Sequence, residues 1–142
     1  QLAADGAGLD AIYICPHHPS GALAELTIEC NCRKPKPGML VQAARDLNLD
    51  LTRSWMVGDI LDDIEAGNRA SCRTVLVDLG TESPPAQSIR KPDFIARDTL
   101  HALRIIQFLD AGGGAADLDY RPVGWTVAIP MLRSQSAAPI GS

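Results

Sequence analysis

Residues 55–63 read Trp55-Met56-Val57-Gly58-Asp59-Ile60-Leu61-Asp62-Asp63, a short apolar run followed by a glycine and a mixture of acids and aliphatic residues. The run at 55–57 has the pattern of a buried strand, and residues 60–70 are predicted to form a helix. The predicted inward residues of that helix are Ile60, Leu61 and Ile64, and its predicted outward acids are Asp62 and Glu65. Thr74-Val75-Leu76-Val77 has the pattern of a second strand. A strand, a helix and a strand in close succession indicate a parallel sheet with helices on its faces.

The same alternation continues on both sides of this unit. A helix is predicted to begin at Pro37, because apolar residues recur at the spacing of one helix face, namely Leu40, Ala43, Ala44 and Leu47. Residues 10–15 are predicted to be a buried strand. A strand at 93–96 precedes a helix that Asp98 or Thr99 caps and that ends near residue 109. The predicted fold class is therefore α/β, a partial Rossmann-like parallel sheet with flanking helices.

Composition limits the functions that are open to the chain. Its 142 residues fit one domain, and its net charge of -4 gives no electrostatic signature of a nucleic-acid or anionic-membrane partner. No stretch approaches the roughly 20 apolar residues of a membrane span, and the N-terminus lacks a signal-peptide pattern and an initiator Met. We therefore expect a cytoplasmic monomer that binds neither nucleic acid nor a membrane, and a chain that enters its fold midway.

The character of the sequence changes near residue 110. We expect residues 1–110 to form one domain and residues 111–142 to be a Gly/Ala linker and a tail that can be disordered. Residues 123–131 are nevertheless apolar enough for one strand.

Residues 16–37 are predicted to form a long loop that needs an anchor, because Pro, Gly, His and Cys interrupt every regular pattern there. Two pairs of potential metal ligands share one i, i+2 spacing, Cys15 with His17 and Cys30 with Cys32. In extended chain, residues two apart point to the same side, so each pair can present both donors to one ion. We predict a closed structural zinc site on the loop at 15–32. The alternatives are a disulfide framework, which the lack of secretory features disfavours, and four unrelated residues.

Two further clusters of charge indicate a phosphate site. Three cations precede the predicted helix N-terminus, namely Arg33, Lys34 and Lys36. Side-chain charge and the helix dipole together suit an anion there, although a solvated basic turn is the alternative. Asp59 follows a strand at the edge where open α/β sheets bind ligands, and Asp63 shares its helix face. Two such carboxylates suit Mg²⁺, and the alternative is a helix cap with an exposed acidic face, where we place Asp62.

These motifs resemble those of the haloacid-dehalogenase (HAD) phosphatases, and most of all the D-glycero-D-manno-heptose 1,7-bisphosphate 7-phosphatases. The likeness covers about residues 8 to 79 and rests on three motifs in order, which are Cys15-Pro16-His17-His18-Pro19, Cys30-Asn31-Cys32-Arg33-Lys34-Pro35-Lys36-Pro37-Gly38-Met39, and Val57-Gly58-Asp59 with Asp63. Histidinol phosphatases of the same group share the first two patterns but have a shorter stretch between the ligand pairs. The twelve residues between His17 and Cys30 therefore favour the heptose branch over the histidinol-phosphate alternative.

The resemblance implies a Mg²⁺-dependent phosphatase that removes the 7-phosphate of a heptose bisphosphate, in lipopolysaccharide-core or related biosynthesis. It implies that Lys34 binds the transferring phosphoryl group and that Arg33 contacts substrate, suited by its fork to a second phosphate. Asp59 is then the Mg²⁺ ligand and Asp63 the supporting acid. The zinc loop would shape the substrate entrance without taking part in the chemistry.

One part of the family pattern is missing from these residues. Such phosphatases attack phosphate with the first Asp of an Asp-x-Asp motif after their first strand, forming an aspartyl-phosphate. The only Asp-x-Asp here is Asp117-Leu118-Asp119, which follows a Gly/Ala run rather than a strand, and the Ser/Thr-bearing second motif is absent. Ile60 also stands where relatives often carry a polar or basic residue. We expect these residues alone not to turn over substrate, and the competing hypothesis is a non-catalytic, zinc-stabilised domain that at most binds sugar phosphates.

Overall fold

The computed structural model describes residue 6 and residues 8–118. Three helices and three strands alternate, namely α1 (Gly38–Leu47), β1 (Trp55–Gly58), α2 (Leu61–Arg69), β2 (Arg73–Val77), β3 (Phe94–Ala96) and α3 (Thr99–Asp110). Two 3₁₀ turns lie between these elements, at Leu51–Arg53 and Ser88–Arg90, and two lie outside them, at Ala24–Leu26 before α1 and Ala115–Asp117 after α3. The strands and helices predicted for residues 37–110 are therefore confirmed.

The strands form one parallel sheet in the order β1-β2-β3. In the register, Val57 lies opposite Val75, and Val75 lies opposite Phe94. Because neighbouring parallel strands need crossovers, α2 and the segment with the Ser88–Arg90 turn run back along the sheet. The predicted α/β class with a parallel sheet is confirmed.

The core lies on both faces of the central strand β2. On one face, Val75 and Val77 pack with Ala96 of β3 and with two buried residues of α3, Ala102 and Ile105. On the other face, Leu76 packs with Leu61 and Ile64 of α2. Side chains alternate along a strand, so this arrangement uses both faces of β2, as expected for a covered parallel sheet.

The strand predicted at residues 10–15 is not formed. The side chains of the segment alternate in burial, with Tyr13 and Cys15 half-buried while Ile12 and Ile14 are 75% and 79% exposed. A strand requires a neighbour that accepts and donates its backbone hydrogen bonds, and among residues 8–118 no strand pairs with this segment. The apolar alternation was real, but it was insufficient to predict a strand.

Two predictions about α2 were also wrong. Ile60 precedes the helix and is 38% exposed, so it does not face the core. Glu65, predicted to face solvent, is 5% exposed, because the guanidinium groups of Arg69 and Arg90 cover its carboxylate.

Residues 111–118, which follow α3, stay close to the core. Gly113 N donates to Phe108 O at 2.9 Å, and Leu118 packs against the cluster of Val75 and Ile105. Asp119 and the apolar stretch at 123–131 lie outside the described residues, so the predicted boundary at residue 110 stays a prediction. Among the helices described, none is long and apolar enough to cross a bilayer.

Candidate functional site

The long loop before α1 brings the four predicted metal ligands together. The donor atoms of Cys15, His17, Cys30 and Cys32 all lie within 4.8 Å of one another, and all four residues are half-buried. The three sulfur-to-sulfur distances are 2.9, 3.0 and 3.5 Å, and His17 Nδ1 lies 3.3 Å from Cys32 Sγ. Within the described residues this is the one such group of three or more Cys, His, Asp or Glu side chains.

The donor set fits a structural zinc ion. Sulfur ligands at about 2.3 Å around a tetrahedral zinc lie about 3.8 Å apart, so a small outward shift of the thiols accommodates the ion. Three thiolates and one imidazole leave no position for water, as in closed structural sites. The three cysteines of the cluster, Cys15, Cys30 and Cys32, form no disulfide in this structure, so the arrangement does not support the disulfide alternative.

The thiols differ in their affinity for protons. A hydrogen bond from Cys32 lowers the pKa of Cys30 to about 6. Hydrogen bonds with Cys30 and Cys15 raise the pKa of Cys32 to about 12. Since zinc binds thiolates, metal binding at neutral pH releases protons, including that of Cys32.

Two of the three cations that follow the ligands, Arg33 and Lys36, are hydrogen-bonded to this loop. Arg33 donates from its backbone N to Cys30 Sγ at 3.3 Å and from Nη1 to His17 O at 3.1 Å. Lys36 Nζ donates to Cys30 O at 3.0 Å. Gly38 N also donates to Asn31 O at 2.9 Å, and a Cβ at Gly38 would collide with that carbonyl. The loop and the start of α1 therefore form one connected unit that fixes Arg33.

Lys34 points towards the sheet and forms an ion pair with Asp63 Oδ1. The Asp63 side chain is 4% exposed, whereas that of Lys34 is 39% exposed, so the lysine still reaches solvent. Gly58 makes room for Asp63, because a Cβ at residue 58 would collide with the Asp63 side chain. The structure therefore brings together Lys34 of the loop and Asp63, the last acid of the 58–63 motif.

Asp59 lies directly after β1, at the carboxyl edge of the sheet. It is exposed and accepts no hydrogen bond from any residue in the described part of the chain. A free carboxylate at this edge fits a hard cation such as Mg²⁺, which prefers oxygen ligands. Asp63 is engaged with Lys34 instead, so Asp59 is the carboxylate of the pair that is available to a metal.

An open pocket of about 330 Å³ lies between the loop and the start of α2. It is lined by side chains from the segment at 10–15, the loop and the start of α2, including Cys15, Arg33, Lys34, Ile60 and Asp62. Its volume lies within the range of small-ligand sites. Two cations in a concave site between the zinc cluster and the end of β1 can bind a phosphorylated small molecule.

Two features of the pocket were missed by reasoning from the sequence. Tyr13 lines it, and its hydroxyl donates to Asp46 of α1 at 2.9 Å; partial burial and the Asp46 carboxylate raise the pKa of Tyr13. Asp62, predicted to lie on a solvated face, also lines the pocket, and Arg90 holds it at 2.8 Å. Neither partner could be read from the sequence, since both are about 30 residues distant and no local pattern links them.

Comparison with known proteins identifies the family to which the chain is similar. The profile of the HAD-hydrolase-like family matches residues 31–102, just over half of the chain. The heptose 1,7-bisphosphate 7-phosphatase of Yersinia pestis is 52% identical over 81 residues, which are 56% of this chain and 43% of that relative. The Pasteurella multocida enzyme of the same name is 52% identical over 81 residues, 56% of this chain and 44% of the relative. The chain thus spans less than half the length of these curated relatives.

A solved structure of a heptose bisphosphate phosphatase is also similar to this chain. The D,D-heptose 1,7-bisphosphate phosphatase from B. bronchiseptica, complexed with magnesium and phosphate, superposes with a TM-score of 0.56 at 32% identity. The match covers 75% of this chain and 57% of that one. Fold, motif order and family profile agree, and the chain belongs to the HAD-hydrolase-like family.

Proposed function

We propose that the protein containing this chain is a Mg²⁺-dependent phosphatase that removes the 7-phosphate of D-glycero-D-manno-heptose 1,7-bisphosphate. The observation that carries the proposal is the pocket in which Arg33 and Lys34 lie together beside the carboxyl end of β1. The relatives of about 50% identity bear the name of this activity, which makes the heptose bisphosphate the substrate to test first.

Each site residue has a chemical role in this proposal. Lys34 would bind the phosphoryl group that is transferred, because its ammonium is exposed on one side and oriented by buried Asp63 on the other. Arg33 would contact a second phosphate with the part of its guanidinium fork that His17 O leaves free. Asp59 would hold Mg²⁺, with Asp63 as the supporting acid that positions Lys34. A magnesium ion bound there supplies charge neutralisation for the phosphoryl group and its nucleophile.

The nucleophile is the part of the proposal for which no acid near the pocket is free among the described residues. Covalent phosphatase chemistry of this type needs a carboxylate that attacks phosphorus. Asp59 is assigned to the metal, Asp63 is ion-paired, and Asp62 is held by Arg90. We propose that residues 1–110 are the C-terminal part of the phosphatase domain and that the attacking Asp lies on a strand outside this chain.

The zinc site has a structural role in the proposal. The Cys15, His17, Cys30 and Cys32 cluster would hold Zn²⁺ and so fix the loop that carries Arg33. Three reduced thiols in one site suit the reducing cytoplasm, where we place the protein as a monomer acting on a small sugar phosphate. Removal of the phosphate would serve the synthesis of lipopolysaccharide heptose.

The test is a phosphate-release assay with heptose 1,7-bisphosphate on two preparations. One is the 142-residue chain, and the other is the same chain preceded by the residues that its gene encodes upstream. We expect release only from the longer preparation, only with Mg²⁺, and far more slowly with histidinol phosphate. Lys34→Met should abolish the release, whereas Lys91→Met, which removes an exposed cation outside the loop, should leave most of it. A gene without an upstream strand ending in Asp-x-Asp, or a preference for histidinol phosphate, contradicts the proposal.

A further inference from the structure

Asp62 is fixed at the rim of the candidate pocket by a residue from a distant part of the chain. Its side chain is 40% exposed, and Arg90 Nη2 contacts its Oδ1 at 2.8 Å. Arg90 is held in turn by the buried Glu65, whose Oε2 lies 2.8 Å from Arg90 Nη1. A side chain tied in this way has lost most of its rotamer freedom before any ligand arrives.

One oxygen of this fixed carboxylate is unused. Oδ1 accepts from Arg90, while Oδ2 has no hydrogen-bond partner anywhere in residues 8–118. Asp62 lines the same pocket as Arg33 and Lys34. The pocket therefore presents two cations and, separately, one pre-oriented acceptor.

This combination selects for a particular kind of ligand. Arginine and lysine attract a phosphate, whereas a carboxylate repels it and accepts hydrogen bonds from neutral O–H groups. A ligand that satisfies the whole pocket carries a phosphate at one end and hydroxyl donors beside it. Inorganic phosphate or a simple alkyl phosphate can use the cations but cannot use Asp62.

We propose that Asp62, oriented by Arg90, is a specificity-determining residue that accepts a hydrogen bond from a hydroxyl group of a polyhydroxylated phosphate ester. The inference rests on the proposed function and deepens it, since it assigns recognition of the sugar portion to a residue outside the phosphate-binding and metal-binding groups. Arg90 is a positioning residue in this arrangement, because it acts on the ligand only through Asp62.

The experiment measures selectivity rather than affinity alone. The zinc-loaded chain is titrated calorimetrically with D-mannose 6-phosphate, ethyl phosphate and inorganic phosphate. We expect the unchanged chain to bind the sugar ester about tenfold more tightly than ethyl phosphate, which corresponds to one hydrogen bond with a charged group. Asp62→Asn should remove most of this preference while leaving the Kd of inorganic phosphate equal or lower. Asp10→Asn, which removes one exposed carboxylate without a side-chain partner among the described residues, is the matched control.

The outcomes separate this inference from the proposed function. A chain that binds none of the three ligands overturns the role of Asp62, whereas the proposed function stands or falls on phosphate release by the longer preparation. A chain that binds inorganic phosphate but holds the sugar ester no more tightly than ethyl phosphate overturns only the role of Asp62, and this comparison does not depend on the folding of a variant. A parallel loss of affinity for all ligands in Asp62→Asn identifies a structural role and also overturns it.

Discussion

Glu65 is a buried carboxylate whose lost hydration is compensated by hydrogen bonds. The residue is almost fully buried, yet each carboxylate oxygen has a guanidinium partner, Oε1 from Arg69 at 2.7 and 2.9 Å and Oε2 from Arg90 at 2.8 Å. A buried carboxylate costs several kcal/mol unless hydrogen bonds compensate its lost hydration. Three charge-assisted bonds provide that compensation and also attach the Ser88–Arg90 turn to α2.

Replacing Glu65 by Gln is therefore expected to destabilise the chain by about 2 kcal/mol, because the amide removes the anionic partner of Arg69 and one of the two carboxylates that Arg90 contacts. Urea-induced unfolding of the zinc-loaded chain measures the change. Glu29→Gln, on the exposed part of the loop, makes the same substitution and is expected to stay within about 0.5 kcal/mol of the unchanged chain. Equal stabilities of the two variants would show that the Glu65 network contributes nothing net.

At the scale of elements, α3 shows how a helix start is fixed. Asp98 has extended backbone angles, and its Oδ1 accepts from His101 N at 2.7 Å, as expected for an N-cap. That hydrogen bond, more than the nearby Arg97, lowers the pKa of Asp98 below its ordinary value. The buried face of α3 that contacts β2 and β3 begins one turn later, at Ala102.

The cap predicts a pH-dependent stability difference. A carboxylate whose pKa is lowered by folding contributes stability above its unfolded pKa of about 3.9 and loses it as the pH falls through the folded value. Asp98→Ala should therefore unfold at a lower temperature than the unchanged chain at about pH 6, and the gap should narrow at about pH 3. Asp98→Asn keeps a capping oxygen without a titrating group, so its advantage over Asp98→Ala should not change with pH. A gap between the unchanged chain and Asp98→Ala that is constant with pH contradicts the assigned role.

At the scale of the whole molecule, the sequence was sufficient wherever the determining contacts were local or periodic. Residues only a few positions apart determine the strands of the sheet, the N-cap of α3 and the i, i+2 spacing of the cysteine and histidine ligands. The sequence was insufficient where the two contacting residues are far apart along the chain. Glu65 and Asp62 meet Arg90 after 25 and 28 residues, and no short pattern marks such a pair. The segment at 10–15 has strand-like alternation, but whether it becomes a strand depends on a neighbour that its own residues do not specify.

The part of the molecule before α1 and the part from β1 onwards are stabilised by different interactions. From β1 onwards, buried aliphatic residues such as Ile64, Val75 and Leu76 form a core. Among the described residues before α1 none is buried, and the backbone hydrogen bonds there are few, such as His18 N to Leu26 O at 2.9 Å. Apolar burial therefore contributes little to that part, and the Cys and His cluster fixes it together with a few polar contacts such as the Lys34–Asp63 ion pair.

Removal of zinc is therefore expected to release the loop without unfolding the sheet. In hydrogen exchange followed by mass spectrometry, a chelator should deprotect amides of residues 15–32 while those of β2 stay protected, because global opening of the core needs more free energy than local opening of the loop. Metal analysis should find about one zinc ion per chain, and Cys30→Ser should lose it. Cys72→Ser changes the one described cysteine outside the cluster, a buried thiol whose pKa burial raises, and should keep both the zinc and the loop protection. If exchange in the loop is the same with and without chelator, the loop is held by something other than the metal, and the role assigned to its four ligands is wrong.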